Sequence, residues 1–234
     1  MRKLPRYRVK FSKDGPARFS SHLDMVRFFD RCTRRAGLPV AFSEGFNPHP
    51  KFSFAAPLPV GIGGMAEYLD MELTGYISPL ELAEKLGSNM PEGYEILDIR
   101  ELREKGPALM ALLARAEYRA TATLPTGYSE PELKTSINNI MNSGALPVIR
   151  EVKGKVKETD IRGGIFNLTG SVKGHIMEIK MELLIGSQGN VRPNDVLLKL
   201  YQDGGVPVKP EEFRIRRVEL FADGKTGPIS LWEA

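Results

Sequence analysis

Segments with the patterns of strands and helices follow one another in the order β-α-β-β-α-β over the first 100 residues, and no other feature constrains the fold as much. Residues 7–11 alternate between apolar and polar side chains, the two-residue period of a half-buried strand. Ser21, followed three residues later by Asp24, is typical of a capping box that opens a helix. That helix should end near Ala36, because a glycine and a proline follow. The remaining expected elements are strands over 40–43, 52–54, 68–73 and 94–102 and a helix that opens at Pro79.

The second half of the chain repeats this order loosely. Residues 103–115 are predicted to be helix or linker and to mark the domain boundary. We predict an α+β protein of two tandem ferredoxin-like (β-α-β-β-α-β) domains, residues 1–104 and 116–234. The expected strands of the second domain cover 118–124, 148–157, 165–172, 175–185 and 213–221, and its expected helices cover 129–141 and 192–201.

The single cysteine, Cys32, excludes several classes of protein. One thiol forms no disulfide within the chain and cannot supply a cysteine-rich zinc site or an iron–sulfur cluster. A lone thiol fits a reducing compartment. The N-terminus has no apolar run behind its charges, and the longest apolar stretch, 108–114, is far shorter than a membrane-spanning helix. We expect a cytoplasmic protein with no membrane partner, no metal and no cofactor.

Positive charge is concentrated at the start of the chain. Residues 1–60 carry twelve Lys or Arg and four Asp or Glu, a balance of +8, whereas the other 174 residues have a balance of −4. Clustered cations attract phosphate-bearing partners and release counterions on binding. A basic N-terminal region that is simply solvated is the alternative.

The predicted first helix has two chemically different sides when it is laid on a wheel of 100° per residue. Cys32 lies at the centre of the apolar side, as a small buried residue rather than a nucleophile. The opposite side carries arginines over about 12 Å, and arginine favours bidentate phosphate contacts. We predict that this side holds phosphates of a nucleic acid, and the alternative is an ordinary solvated helix face. The arginines are Arg27, Arg31, Arg34 and Arg35.

The loop Gly-Phe-Asn-Pro-His-Pro-Lys over 45–51 is the most unusual segment. Its prolines flank His49 and restrict the backbone, so side chains are presented at small entropic cost. We predict that Phe46, Asn47 and His49 contact a nucleotide or a partner protein and that Lys51 contacts nucleic acid. A stiff connection between strands is the alternative.

Histidine chemistry keeps an enzyme open as a competing class. His49, with His22 as a second candidate, could serve as acid and base in a metal-independent RNA-processing reaction. A metal site is not expected, because the three histidines show no helical pair or HExxH pattern. In the second domain, Asp160 and Arg162 are site candidates, although an exposed structural ion pair is their default interpretation.

Several motifs together resemble a known family. These are Ser20-Ser21-His22-Leu23-Asp24, Arg34-Arg35-Ala36-Gly37-Leu38-Pro39, Ser43-Glu44-Gly45-Phe46-Asn47-Pro48-His49-Pro50-Lys51 and Leu58-Pro59-Val60-Gly61, and the later runs 157–162 and 192–193 also match. They resemble the radical-SAM-linked protein family, a bacterial family of unknown function found beside or fused to a radical SAM protein.

The resemblance implies a partnership with a radical SAM enzyme in modifying or processing tRNA or rRNA. The expected role is that of an accessory protein that binds structured RNA, not DNA, and has no catalytic activity of its own. The two competing classes are the RNA-processing enzyme described above and a protein-interaction module whose basic face meets an acidic partner.

Overall fold

A computed structural model describes residues 4–104, 106–125, 127–152 and 154–234. Within these ranges the protein has five α-helices and a large, mostly antiparallel β-sheet, which confirms the α+β part of the predicted fold class. The chain forms two compact units: residues up to Leu113 together with Glu219–Ala234 make the first, and Ala114–Val218 make the second. The first unit thus consists of two segments of the sequence, whereas each predicted domain, 1–104 and 116–234, is one continuous segment.

Sixteen helices and strands follow one another along the described chain. They are β1 (Arg6–Lys13), α1 (His22–Arg35), β2 (Phe52–Phe54), β3 (Gly63–Glu72), α2 (Pro79–Gly87), β4 (Tyr94–Glu101), α3 (Leu109–Leu112), β5 (Leu113–Thr123), α4 (Glu130–Asn142), β6 (Pro147–Val152), β7 (Lys155–Asp160), β8 (Ile165–Lys173), β9 (Ile176–Leu184), α5 (Pro193–Gln202), β10 (Arg214–Gly224) and β11 (Gly227–Ser230). Helices α1, α2, α4 and α5 lie within a residue or two of the predicted helices.

The first unit arranges its strands in the order β4-β1-β3-β2, with every neighbouring pair antiparallel. The last residues of β10 also belong to this unit and pair with β11. The core is buried on one face of this sheet and under α1 and α2, because alternate residues of a strand point to the same face. Its largest side chains are Tyr7, Phe11, Phe29, Met25, Leu69, Met71, Leu73, Leu82 and Leu86.

The other face of β1 is covered at Arg8, although Lys10 and Ser12 on the same face stay partly exposed, as the alternating pattern predicts. Arg8 is only 2% exposed. Its guanidinium is paired with Asp70 of β3 and donates to the carbonyls of Leu231 and Ala234. The phenol of Tyr68 donates to Glu219 (2.6 Å). These bonds explain why residues 219–234 belong to the first unit.

The second unit arranges its strands in the order β10-β5-β9-β8 and adds the separate hairpin β6–β7. The predicted pairing of β8 with β9 is confirmed over Ile165–Lys173. Helices α4 and α5 each bury one apolar side. Their buried residues include Leu133, Ile137, Ile140, Val196, Leu197 and Leu200.

Two predicted strands are wrong. Residues 40–43 form only isolated bridges, from Val40 to Leu73 and from Phe42 to Pro50, and no strand. The strand predicted over 148–157 is a hairpin, β6 and β7, whose turn contains Gly154 at φ +73°. The left-handed conformation of this glycine reverses the chain at a point where the apolar pattern predicts one continuous strand.

None of the helices in the described ranges is both long and apolar enough to cross a membrane.

Candidate nucleic-acid interface

Helix α1 begins at His22 because the two residues of the predicted capping box satisfy each other. Ser21 Oγ accepts from the backbone N–H of Asp24 (3.2 Å), and Asp24 Oδ2 accepts from the backbone N–H (3.1 Å) and hydroxyl (2.6 Å) of Ser21. These bonds from Ser21 lower the pKa of Asp24. Reciprocal capping fixes where the helix starts and so fixes which residues face outward.

The two sides of α1 are as the wheel predicts. Met25, Phe28, Phe29 and Cys32 are buried. The four predicted arginines are exposed, and we call them the basic face: Arg27, Arg31, Arg34 and Arg35. Within the part of the chain that the structure describes, Arg27 and Arg31 have no hydrogen-bond or ion-pair partner. Their guanidinium groups therefore keep all their donors for a ligand.

The other two arginines of the basic face have partners within the protein. Arg34 Nε donates to Asp30 Oδ1 (2.9 Å), and the guanidinium carbon lies 5.7 Å from the centroid of the Phe42 ring. Arg35 Nη2 donates to the carbonyl of Asn89 (3.0 Å). Because Phe42 stands immediately before the unusual loop, the contact of Arg34 with Phe42 places the basic face beside that loop.

Cys32 is a buried residue, in agreement with its position on the wheel. Its thiol donates to the carbonyl of Asn89 (3.0 Å), and its sulfur accepts from Arg35 Nη2 (3.3 Å). Burial raises the pKa of the thiol, although Arg35 opposes this. A buried, protonated thiol is a poor nucleophile.

Residues 43–50, which we call the presenting loop, are closed at the base by Ser43 and His49. The backbone N–H of Ser43 donates to the carbonyl of His49 (2.9 Å), and the backbone N–H of His49 donates to Ser43 Oγ (3.1 Å). Phe42 bridges to Pro50 just outside this closure. At the tip, Phe46 is fully exposed. A large apolar ring that is not packed against the rest of the protein is available to a base or to a partner surface.

Ser43 also holds the ring of His49 in place. Ser43 Oγ lies 2.8 Å from His49 Nδ1 and already accepts one backbone N–H. Because Oγ can donate its proton to Nδ1 or accept one from it, this contact orients the ring in either tautomer. His49 Nε2 has no hydrogen-bond partner among the described residues, so this nitrogen of an exposed ring is available to a ligand.

His22, the second histidine of the enzyme hypothesis, has different surroundings. Its ring packs edge-on against Phe54 with centroids 5.4 Å apart, and its Nδ1 has no hydrogen-bond partner in the described residues. Burial, assisted by the charge of Lys13, lowers its pKa, as expected for a neutral imidazole. The contacts of His22 with Phe54 and of His49 with Ser43 have no residue in common. The same described ranges contain no cluster of three or more metal-ligating side chains.

Asp160 and Arg162 serve backbone groups and do not form the expected exposed ion pair. Asp160 Oδ1 accepts from the backbone N–H groups of Leu146 (2.8 Å) and Arg162 (2.9 Å), which lowers the pKa of Asp160. The Arg162 guanidinium donates to the carbonyl of Met141 in the last turn of α4 (2.9 and 2.5 Å) and to that of Ile165 (3.2 Å). Carbonyls at a helix end lack intrahelical partners and attract cations. These two residues therefore hold the second unit together locally.

Sequence reasoning missed Phe42 and Ser43 as parts of the site. Both lie in irregular backbone, where no period relates a residue to its neighbours in space. The only signal available was that Ser43 opens the motif containing His49.

The fold and the exposed residues define a class: an α+β protein whose first unit presents an arginine-bearing helix face beside a stiff loop with an aromatic tip. The model of one protein family matches residues 6–193 of this chain, a range that contains both features. The chain belongs to that family, described as "Uncharacterized protein conserved in bacteria (DUF2344)". The association with a radical SAM protein stays a prediction.

Comparisons with solved structures give distant likenesses. One is a chain of the structure "Crystal Structure of a Cbf5-Nop10-Gar1 Complex", at 9% identity and TM-score 0.47 over 92% of this chain and 48% of that one. This chain therefore spans about half the length of that protein. Another is an unknown protein from Galdieria sulphuraria, at 11% identity and TM-score 0.26 over 97% and 99% of the two chains. Neither likeness is close enough to bear on function. A comparison with curated proteins found no significant match.

Proposed function

We propose that the first unit binds structured RNA, tRNA or rRNA, through the basic face and the presenting loop, as an accessory protein to a radical SAM enzyme. The observation that carries the proposal is the contact of Arg34 with Phe42, which joins the two predicted elements into one exposed surface. This surface has a charged part, the basic face, and an aromatic part, the presenting loop, and each suits a different part of an RNA.

The basic face suits phosphates. Arg27 and Arg31 are exposed, and their donors are uncommitted among the described residues. Arg34 and Arg35 are held by Asp30 and by the carbonyl of Asn89, so part of their rotamer entropy is already lost before a ligand binds. Planar guanidinium groups bind phosphate bidentately, and an arc about 12 Å long reaches two or three phosphates along one strand.

The presenting loop suits an unpaired base. RNA is recognised mainly where bases are splayed out of helices and stack on aromatic rings. Phe46 offers a ring on a loop that Ser43 and His49 keep closed, so the loop loses little conformational entropy on binding. His49 Nε2 and the amide of Asn47 add polar groups on the same loop.

We also propose that each unit has the ferredoxin-like fold. The orders β4-β1-β3-β2 and β10-β5-β9-β8 both place the fourth, first, third and second strands of a β-α-β-β-α-β series side by side. The hairpin β6–β7 is then an insertion into the second series. An experimental structure with another strand order would contradict this assignment.

The partnership with a radical SAM enzyme rests on the sequence resemblance. These residues include one cysteine and cannot supply the three thiolates of such a cluster, so the cluster must lie elsewhere. The exposed Phe46 is the expected contact. A pulldown from the native cell should recover a cluster-bearing protein with the wild type and lose it with the Phe46→Ala, His49→Ala variant. Recovery of none with the wild type contradicts the partnership.

The RNA proposal is tested by salt dependence. Changing Arg27, Arg31 and Arg34 together to Gln should weaken binding of a structured RNA and reduce the slope of log K against log salt by about 2 to 3 units, since each lost phosphate contact removes about 0.7 to 0.9. The matched control changes three exposed arginines of the second unit, Arg119, Arg192 and Arg214, to Gln.

The control separates a local site from a general charge effect. It removes the same formal charge, and it should leave affinity and slope near those of the wild type. Equal losses in both variants, or no loss in a folded first variant, remove the basic face from the RNA site. If no RNA binds the wild type, the basic face is left to an acidic protein partner.

A further inference from the structure

A pocket of about 320 Å³ lies in the first unit, next to the presenting loop. Its lining is Arg6, Lys51, Phe52, Ser53, Asp70, Glu72 and Ala108. The register pairs Arg6 with Glu72 and Ser53 with Asp70, so these four side chains lie on one face of the sheet, opposite the core face of Leu69 and Met71. The volume is at the lower end for small-molecule pockets, which suits a single ring system rather than a helix or peptide.

Most of the charge in this pocket is already satisfied. Asp70 accepts from Arg6 Nη2 (2.7 Å) and from Arg8 Nε (2.9 Å), and its side chain is 2% exposed. Asp70 and Arg6 therefore form a fixed wall. A ligand would find its hydrogen bonds elsewhere in the pocket.

Lys51 and Glu72 are the adaptable pair. Lys51 Nζ lies 3.2 Å from Glu72 Oε2, and both side chains are more than a third exposed. An ammonium has three protons and a carboxylate about four acceptor sites, so this contact leaves most of their capacity unused. The Ser53 hydroxyl has no partner within the described ranges. Lys51 and Glu72 together offer one donor, the ammonium group, beside two acceptors, the carboxylate oxygens.

We propose that this pocket binds a single unpaired guanine base, an inference that rests on the proposed RNA binding of the first unit. Guanine presents one acceptor, O6, beside two donors, N1–H and the N2 amino group. Lys51 Nζ can donate to O6, and the two oxygens of Glu72 can accept from N1–H and N2–H. The donor and acceptors of the protein thus complement the acceptor and donors of the base.

The other bases do not match this pattern. Adenine places an acceptor, N1, where Glu72 needs a donor, so a carboxylate oxygen would face a lone pair. Inosine keeps O6 and N1–H and lacks the N2 amino group, so it loses one bond to the carboxylate. A site built to hydrogen-bond a group discriminates strongly against analogues that leave its polar atoms unpaired.

The experiment measures binding of one RNA hairpin with a single unpaired residue that is G, inosine, A, U or C, to the full chain. The guanine hairpin should bind about tenfold more tightly than inosine and up to about a hundredfold more tightly than adenine. Glu72→Gln should reduce these preferences to within about threefold. The control is Glu84→Gln, an exposed glutamate of α2 away from the pocket, which should keep them. Circular dichroism confirms that both variants are folded.

A second arm uses guanosine monophosphate alone, to distinguish a base in RNA from a free nucleotide. Equal binding of all five hairpins overturns the guanine pocket and leaves the proposed RNA binding intact. Binding of the nucleotide, lost in Glu72→Gln, with no hairpin bound overturns the RNA function and leaves a pocket for free guanine nucleotides. If neither the hairpins nor the nucleotide bind, both proposals are wrong.

Discussion

Asp70 is the buried anion on which the packing of the first unit depends, and replacing it with alanine is a sharp test of that packing. Its carboxylate is held by Arg8 Nε to Oδ1 (2.9 Å), Arg8 Nη2 to Oδ2 (3.3 Å) and Arg6 Nη2 to Oδ2 (2.7 Å). The side chains of Arg8 and Asp70 are 3% and 2% exposed. Asp70→Ala leaves the Arg8 charge buried without its carboxylate.

The expected cost follows from that burial. Removing one partner of a buried pair destabilises a protein by about 3 to 5 kcal/mol, because the remaining charge is desolvated without compensation. For a chain of this length the melting temperature then falls by roughly 6 to 20 °C. Glu95→Ala on the exposed side of β4 is the control and should change stability by less than about 0.5 kcal/mol.

Urea unfolding followed by tryptophan fluorescence measures the effect in the relevant unit. Trp232 is the single tryptophan of the chain; it stacks on Tyr68 with ring centroids 6.4 Å apart and lies under Arg100. If the cost comes from the unpaired Arg8, the Arg8→Met, Asp70→Ala double variant should be more stable than Asp70→Ala alone. A loss below about 1 kcal/mol in the single variant, or an equal or larger loss in the double variant, refutes this account.

Two further outcomes are expected. Ser21→Ala removes the cap of α1 and should cost about 1 kcal/mol in thermal unfolding, whereas Ser21→Thr keeps a hydroxyl and should keep most of the stability; equal losses in the two variants would show that the loss does not come from the capping hydrogen bonds. For His22, burial lowers the pKa in the folded state below its usual value, so the unfolded chain binds more protons and stability falls as the pH drops below about 6.5. His22→Gln should remove that part of the pH dependence measured by urea titration between pH 5 and 7.5, and an unchanged pH profile would assign it to other groups.

Local patterns were sufficient for the elements that depend on local bonds. The cap of Ser21 and Asp24, the buried side of α1 around Phe29 and Cys32, and the exposed arginines follow from a 3.6-residue period that any helix with this sequence has. The proline at the start of α2 acts in the same local way.

Non-local pairing was where the sequence failed. Residues 40–43 have the composition of a strand, yet only Val40 and Phe42 find partners, and those partners lie in different segments. The stretch 148–157 folds back on itself because Gly154 adopts a positive φ, which an apolar pattern does not encode. Arg8 was expected on a solvated face, because no pattern near it in the sequence indicates that Asp70 and Leu231 cover its side chain.

The sequence by itself determined which residues of the candidate site are exposed on α1 and that the presenting loop is stiff, because helix periodicity and proline restriction act within a few residues. Only the tertiary structure decided that Arg34 meets Phe42, that Ser43 binds His49 and that Lys51 pairs with Glu72 beside a pocket. Such contacts join residues from different segments, and their geometry depends on strand register and on the path of irregular backbone. Those are set by the packing of the whole unit, which no short stretch of sequence contains.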